Sequence, residues 1–125
     1  MEREEELVHR ILQAAHRVHA GLGPGFIEGI YARALAFELK KGGLQVDRER
    51  TIKIWYGTTP VGKHRLDLLV EQSVIVELKA SRSIIPVHVA QMNSYLRAST
   101  LGFGLVLNFG TTDLQWEIVR SRTPE

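Results

Sequence analysis

The sequence contains no cysteine, and this absence excludes disulfides, thiolate zinc sites and cysteine nucleophiles. It also lacks any run of about 18 uncharged apolar residues, which a membrane-spanning helix would need. The chain opens with acidic residues around Arg3 in place of a basic and then apolar segment, so no secretion signal is expected. We therefore expect a cytoplasmic protein without membrane contact, in which a metal ion would have only histidine and oxygen ligands.

A large charge excess, internal repeats and low-complexity tracts are absent as well. Sixteen Lys and Arg against 14 Asp and Glu give a net charge of +2, which is too small to indicate nucleic acid by itself. The 125 residues, 44% of them hydrophobic, predict a single domain over residues 1–125, with loose termini at 1–5 and 121–125.

The positive charge is unevenly distributed along the chain. Residues 40–65 contain seven Lys or Arg and two acids. This basic segment could bind a polyanion, or its cations could be solvated residues that keep strand edges from aggregating.

Hydrophobic periodicity predicts the order of the secondary-structure elements. A period near 3.6 indicates helices over residues 4–20 and 26–41, and the glycine-rich segment 21–25 between them is a turn because it lacks the ending of a phosphate loop. A period of two then indicates strands, interrupted by a third helix that begins near Pro86. The predicted strands cover residues 44–46, 51–56, 62–70, 74–80, 104–109 and 114–119. This order predicts an α/β (α+β) fold with a mixed central sheet, two N-terminal helices, and a helix crossing before the last two strands.

The predicted hairpin of residues 62–80 is the most informative segment. If its turn is centred on Gln72, residues whose numbers sum to 144 face each other, so Asp67 lies opposite Glu77 and Arg65 opposite Lys79. The even-numbered positions share an apolar face that must pack on the core. Two facing carboxylates repel each other and require a compensating cation.

Two interpretations of this carboxylate pair follow from the residues alone. Arg65 and Lys79 could neutralise the pair in a structural ion-pair network. Alternatively, Mg²⁺ or Mn²⁺ could bind the two acids, since these hard ions take oxygen ligands, and Lys79 would then orient a nucleophilic water.

A family resemblance bears on this choice. Asp67, the sequence Glu77-Leu78-Lys79 and the spacing of Gln91 and Tyr95 resemble the PD-(D/E)xK nuclease superfamily, in particular its members with a Gln-x-x-x-Tyr motif. The segment from Gly25 to Tyr31 resembles the signature of the GxxExxY family, small bacterial and archaeal proteins grouped with that superfamily.

The resemblance implies a restriction-endonuclease-like core with a divalent metal site. By this resemblance, the carboxylates of Asp67 and Glu77 and the carbonyl of Leu78 would bind Mg²⁺ or Mn²⁺, with Glu28 as a further acid. Lys79 would assist the attacking water.

Further roles are expected around that site. The resemblance implies that Gln91 and Tyr95, one helical turn apart, support it and contact substrate phosphate. Arg65, His88 and Tyr31 are candidate substrate contacts. The hydroxyl of Tyr31 could instead hold the carboxylate of Glu28, or the ring could belong to the core.

The aromatic residues of the basic segment have two interpretations. Trp55 and Tyr56 could stack on the bases of a single strand, although aromatic residues on a strand more often pack in the interior, and we expect packing here.

The resemblance implies a Mg²⁺-dependent nuclease acting on nucleic acid, DNA before RNA. A noncatalytic nucleic-acid-binding or protein-interaction module on the same fold is the alternative. A subunit of a larger assembly and a homodimer are further possibilities, and nothing in the sequence defines an interface.

Overall fold

A computed structural model describes residues 2–121 and places three helices and seven strands in that range. The helices are α1 (Glu2–Leu22), α2 (Glu28–Lys41) and α3 (Pro86–Ser99). The strands are β1 (Val46–Arg48), β2 (Thr51–Tyr56), β3 (Thr59–Arg65), β4 (Leu68–Val70), β5 (Val74–Lys79), β6 (Phe103–Asn108) and β7 (Gln115–Arg120).

Five of these strands form a mixed sheet in the order β1-β4-β5-β6-β7. Neighbouring strands are antiparallel except β5 and β6, which are parallel and are joined through α3. A parallel pair requires such a crossover because the chain must return to the same end of the sheet. The predicted fold class is therefore confirmed. Strands β2 and β3 pair only with each other.

The sheet carries one hydrophobic cluster on each face. Helices α1 and α2 cover the first face, where Ile11, Leu35 and Leu78 are buried together. Helix α3 covers the second face, where Met92 packs with Leu69 and Ile75. A sheet buried on both faces explains why β5 and β6 read as continuous apolar runs.

The predicted hairpin register is correct, but its first strand is divided. Leu68 pairs with Val76 and Val70 with Val74, as the sum of 144 requires. The chain leaves this sheet before Leu68, however, and Arg65 pairs with Thr51 of β2 instead of facing Lys79. Because the break changes the alternation, Leu66 joins the cluster beneath α3, opposite to the face predicted for it.

Two predicted boundaries are also wrong. Helix α2 begins at Glu28 and not at residue 26, so Ile27, which lies inside the predicted range, precedes the helix and is 72% exposed. Residues 2–5, expected to be loose, form the start of α1, and Glu5 accepts a 2.9 Å bond from Arg120. Residues 122–125, the rest of the expected loose C-terminus, lie outside the described residues. Within residues 2–121 no helix is long and apolar enough to cross a membrane.

A buried asparagine fixes the chain that follows β5. Asn108 is fully buried, and its amide exchanges two hydrogen bonds with the backbone of Ser81, at 2.9 and 3.0 Å. Its Oδ1 also accepts a 3.1 Å bond from the N–H of Gly110, and its Nδ2 donates to Gln115. With its amide fully bonded, Asn108 holds the carboxyl end of β5 against β6.

Gly110 packs closely against the backbone of Ser81, and its replacement should destabilise the fold. A Cβ on Gly110 would lie 2.6 Å from the backbone nitrogen of Ser81. We expect Gly110→Ala to lower the free energy of unfolding by about 2 kcal/mol, since backbone must move to relieve the overlap. Urea denaturation measures this change. Gly102→Ala, where a Cβ meets nothing within 4 Å, is the control, and equal losses in both variants would contradict the prediction.

Candidate active site

The candidate site forms where the chain passes from β3 to β4 and changes its pairing partner. Two backbone hydrogen bonds fix the crossing: the N–H of Leu66 donates to the carbonyl of Arg50 at 2.7 Å, and that of Glu49 to the carbonyl of Asp67 at 3.0 Å. Asp67 therefore lies outside both sheets, next to the carboxyl half of β5. Backbone N–H and C=O groups that do not pair between strands at this point need other hydrogen-bond partners.

The carboxylates of Asp67 and Glu77 provide those partners reciprocally. Oε2 of Glu77 accepts the backbone N–H of Asp67 at 2.9 Å, and Oδ2 of Asp67 accepts the backbone N–H of Leu78 at 2.8 Å. Each carboxylate thus uses one oxygen to accept a backbone N–H from the segment that carries the other acid. The predicted juxtaposition of these two carboxylates is present in the structure.

This arrangement places Glu77 in an unfavourable environment for a charge. The residue is only 8% exposed. The pKa of its carboxyl is raised to about 7, chiefly by burial and then by the negative charge of Asp67, against smaller opposing effects of the Asp67 N–H and Lys79. A carboxyl with such a pKa exchanges its proton at neutral pH, a property that is frequent at functional sites.

No cation compensates the pair within the described part of the chain. Neither Arg65 nor Lys79 makes an ion pair within 4.0 Å of Asp67 or Glu77 among residues 2–121. Lys79 lies close enough to lower the pKa of Glu77, but it does not form the closed ion-pair network that the structural interpretation requires.

His64 belongs to this site, and sequence reasoning missed it. Its ring stacks on Tyr95 with centroids 3.9 Å apart, and its Nε2 lies 3.9 Å from Oε1 of Glu77, too far for a hydrogen bond. That nitrogen is buried without a hydrogen-bond partner among the described residues. Burial lowers the pKa of His64, which disfavours the protonated imidazole that could neutralise Glu77. The only sequence signal was its position three residues before Asp67.

The donor groups suit a hydrated divalent ion better than a fully protein-ligated one. Within residues 2–121, no three His, Asp or Glu side chains converge on one point. Glu28 and Asp67 do line the same cleft, of about 150 Å³, together with Arg48 and Glu49. Mg²⁺ usually takes one or two carboxylates and keeps several waters. The uncompensated pair Asp67 and Glu77 therefore fits such an ion without a third protein acid.

Helix α3 brings two of its predicted side chains near the carboxylates. Tyr95 stacks on His64, and burial together with the charges of Glu77 and Asp67 raises the pKa of its hydroxyl. His88 accepts the backbone N–H of Ile85 at Nδ1, at 3.1 Å, and so caps the helix. Burial and the charge of Lys79 lower the pKa of His88. Gln91 lies between these two positions and is exposed.

Tyr31 has a different environment from the one expected of a substrate contact. Its side chain is fully buried and stacks on Phe109 at 4.6 Å. Its hydroxyl donates to the carbonyl of Gly23 at 2.6 Å and accepts the N–H of Phe26 at 3.1 Å. The residue therefore fixes the glycine-rich turn before Glu28. Of the two alternatives for Tyr31, the core ring is confirmed, and its hydroxyl does not bind the Glu28 carboxylate.

The aromatic residues of the basic segment are also misjudged from sequence. Trp55 is 53% exposed and Tyr56 is 80% exposed, so neither is the packing residue that we expected. They lie at the outer end of the hairpin formed by β2 and β3.

Comparison with known proteins decides the family. The family model described as PD-(D/E)XK nuclease superfamily matches residues 5–121. The chain belongs to this superfamily. A nuclease-type function, acting on phosphodiesters of nucleic acid, is what membership in the PD-(D/E)XK superfamily suggests. Curated proteins give no match.

A solved structure supports the PD-(D/E)XK fold assignment. The crystal structure of SSO0001 is similar with a TM-score of 0.59 and 20% sequence identity, over 76% of this chain and 50% of that one. The chain thus spans half the length of SSO0001, and at this identity the similarity concerns the fold alone.

The burial of Glu77 in this PD-(D/E)XK chain predicts an unusual pH dependence of stability. Its folded pKa of about 7 lies above the ordinary 4.5, so wild-type stability should fall as pH rises from 4.5 to 7 and then level off. Glu77→Gln keeps an acceptor for Asp67 but carries no charge. In metal-free buffer at pH 8, we expect it to raise the unfolding free energy by up to about 3 kcal/mol, with no gain near pH 4.

Urea denaturation at several pH values measures this difference. Glu117→Gln, which removes an exposed carboxylate on β7, is the matched control for losing one negative charge. If Glu77→Gln were less stable than wild type at pH 8, Glu77 would be ion-paired in the free protein, as the structural-network interpretation requires.

Proposed function

We propose that this chain is a Mg²⁺- or Mn²⁺-dependent nuclease that hydrolyses phosphodiesters of nucleic acid, DNA before RNA. The observation that supports this proposal is the pair Asp67 and Glu77, held side by side by reciprocal backbone bonds with no compensating cation among the described residues. Such a pair costs folding free energy, and a divalent ion would offset that cost. The finer assignment to the GxxExxY family rests on residues 25–31.

The residues that would hold the ion are Asp67, Glu77 and the carbonyl of Leu78, with Glu28 as a further acid that lines a cleft together with Asp67. A bound divalent ion supplies a lowered pKa of coordinated water and neutralises charge on the phosphoryl oxygens. The remaining chemistry belongs to the chain. In hydrolysis, a water oxygen forms a bond to phosphorus while the bond from phosphorus to the leaving sugar oxygen breaks.

Lys79 is the residue we assign to the attacking water. It follows Glu77 by two positions on β5, so both side chains leave the same face of the sheet. Its ammonium group can orient the water and balance the negative charge that develops on the phosphoryl group.

Four side chains from α3 and β3 are assigned to the substrate phosphate. Gln91 is exposed next to Tyr95, and both can donate hydrogen bonds to phosphate oxygens. The Nδ1 of His88 is engaged by the helix cap, which places the proton of the neutral ring on Nε2, where it can be donated. Arg65, exposed at the end of β3, is a further candidate for phosphate contact.

Calorimetric titration with Mg²⁺ and Mn²⁺ and a cleavage assay test this function. The assay uses single-stranded, duplex and branched DNA and a single-stranded RNA. We expect metal binding that is lost in Asp67→Asn. Lys79→Met should keep metal binding but cut more slowly by about a hundredfold or more, the typical loss when one group that stabilises developing charge is removed.

Glu117→Gln is again the control for a lost carboxylate and should bind and cut as wild type does. Wild-type protein that binds neither ion and leaves every substrate intact would overturn the proposal. Metal binding without cleavage would restrict the chain to a nucleic-acid-binding or protein-interaction module on the same fold.

A further inference from the structure

The hairpin of β2 and β3, here called the basic hairpin (residues 51–65), extends beyond the central sheet. Its inner face carries Ile52, which packs against the cluster beneath α3, and His64, which stacks on Tyr95. Its outer face is exposed along both strands. A two-stranded ribbon exposed on one face adds little to stability by itself, so its outer surface is free to serve another purpose.

The outer face is positively charged throughout. Lys53 lies directly opposite Lys63, and Arg65 lies opposite Thr51 on the same face. Residues 51–65 contain no Asp or Glu. None of these three cations forms an ion pair within the described residues. Like charges directly opposite each other destabilise a sheet, and an anionic ligand would remove that cost.

Aromatic surface accompanies this charge. Trp55 follows Lys53 on the same face, with the Lys53 ammonium 5.9 Å from the centroid of its ring. Trp55 and Lys53 also line a cleft of about 330 Å³ that extends to the end of α3 at Ala98 and Ser99. A half-exposed indole beside an open cleft offers a planar surface on which an unpaired base can stack.

The basic hairpin is continuous with the candidate active site. Lys63 precedes Asp67 by four residues, roughly 13 Å along an extended chain, and Arg65 lies between them. Along the hairpin, Arg65 is therefore the cation nearest to Asp67, followed by the pair Lys63 and Lys53 and then by Trp55.

We propose that the basic hairpin binds a single-stranded stretch of nucleic acid flanking the cleaved phosphodiester, with Lys53, Lys63 and Arg65 on its phosphates and Trp55 stacked on a base. The cations suit any polyanion, but exposed indole beside an open cleft favours unpaired bases over duplex. The identity of the ligand rests on the proposed function.

Binding of a fluorescein-labelled single-stranded dT 12-mer and a 12-base-pair duplex, followed by anisotropy in EDTA, tests the inference without cleavage. We expect Lys53→Ala/Lys63→Ala to weaken binding of the single strand by about tenfold and to reduce the slope of log K against log salt by about 1.4, or 0.7 for each lost phosphate contact. Removing the opposed pair should not impair folding, which thermal unfolding can verify.

Lys40→Ala/Lys41→Ala is the matched control. These exposed residues end α2 on the opposite face of the sheet, although they belong to the same basic segment of the sequence. Equal losses in the two double variants would overturn the inference, because net charge alone would then explain binding.

Trp55 provides an independent measurement. With Trp116→Phe as background, Trp55 is the one remaining tryptophan of the two in the sequence. Its emission should be quenched by the single strand, and Trp55→Ala should weaken binding by about tenfold. Unchanged emission on binding, equal affinity for duplex, or equal competition by polyglutamate would overturn the inference.

These outcomes are separable from those of the proposed function. Hairpin-dependent binding of the single strand without any cleavage would support the inference and contradict the nuclease assignment. Cleavage by wild type with unchanged binding by the hairpin variants would leave the nuclease assignment standing and overturn the inference.

Discussion

The reciprocal hydrogen bonds between Asp67 and the Glu77–Leu78 segment are the interaction on which the site depends. Each carboxylate accepts a backbone N–H of the other strand, so the two acids are fixed by the same contacts that close the end of the β4–β5 pairing. A like-charged pair in a half-buried position is normally removed by rotation of one side chain. Here rotation would leave a backbone donor unsatisfied, and this penalty keeps the acids together.

Hydrogen bonds of two further buried side chains stabilise the backbone around this end of β5. Asn108 bonds the chain just after Lys79, and Tyr31 fixes the turn that leads into Glu28. Both residues are buried, and their hydrogen bonds fix the backbone next to Lys79 and the turn before Glu28. A catalytic arrangement must be held to within about 0.5 Å, and buried, hydrogen-bonded side chains from two different elements, β6 and α2, contribute to that rigidity. The stability lost at Glu77 is thus offset by neighbouring polar contacts.

Much of this architecture follows from local sequence pattern. The alternation in Val74–Leu78 and the turn at Gln72 were sufficient to predict the register that brings Asp67 to Glu77, because a register shift by one residue would expose the apolar face. Helix α3 and the last two strands follow equally from periodicity and from Pro86. The pattern could not show that the chain changes its pairing partner at Leu66, from β2 before this residue to β5 after it. Residues 62–70 alternate as one strand, and only long-range pairing of Thr51 with Arg65 divides them.

That change of pairing partner also accounts for the environments of His64 and Trp55, which sequence reasoning did not predict. Because β3 does not pair with the central sheet, the ring of His64 stacks on Tyr95 and faces Glu77. For the same reason Trp55 is about half exposed. Neither position follows from a continuous hairpin, in which Arg65 would lie opposite Lys79. The same two-residue crossing, Leu66 and Asp67, therefore does two things. It places Asp67 beside Glu77 in the candidate site, and it directs the basic hairpin outward from that pair, so that the cations of the hairpin do not neutralise the two acids.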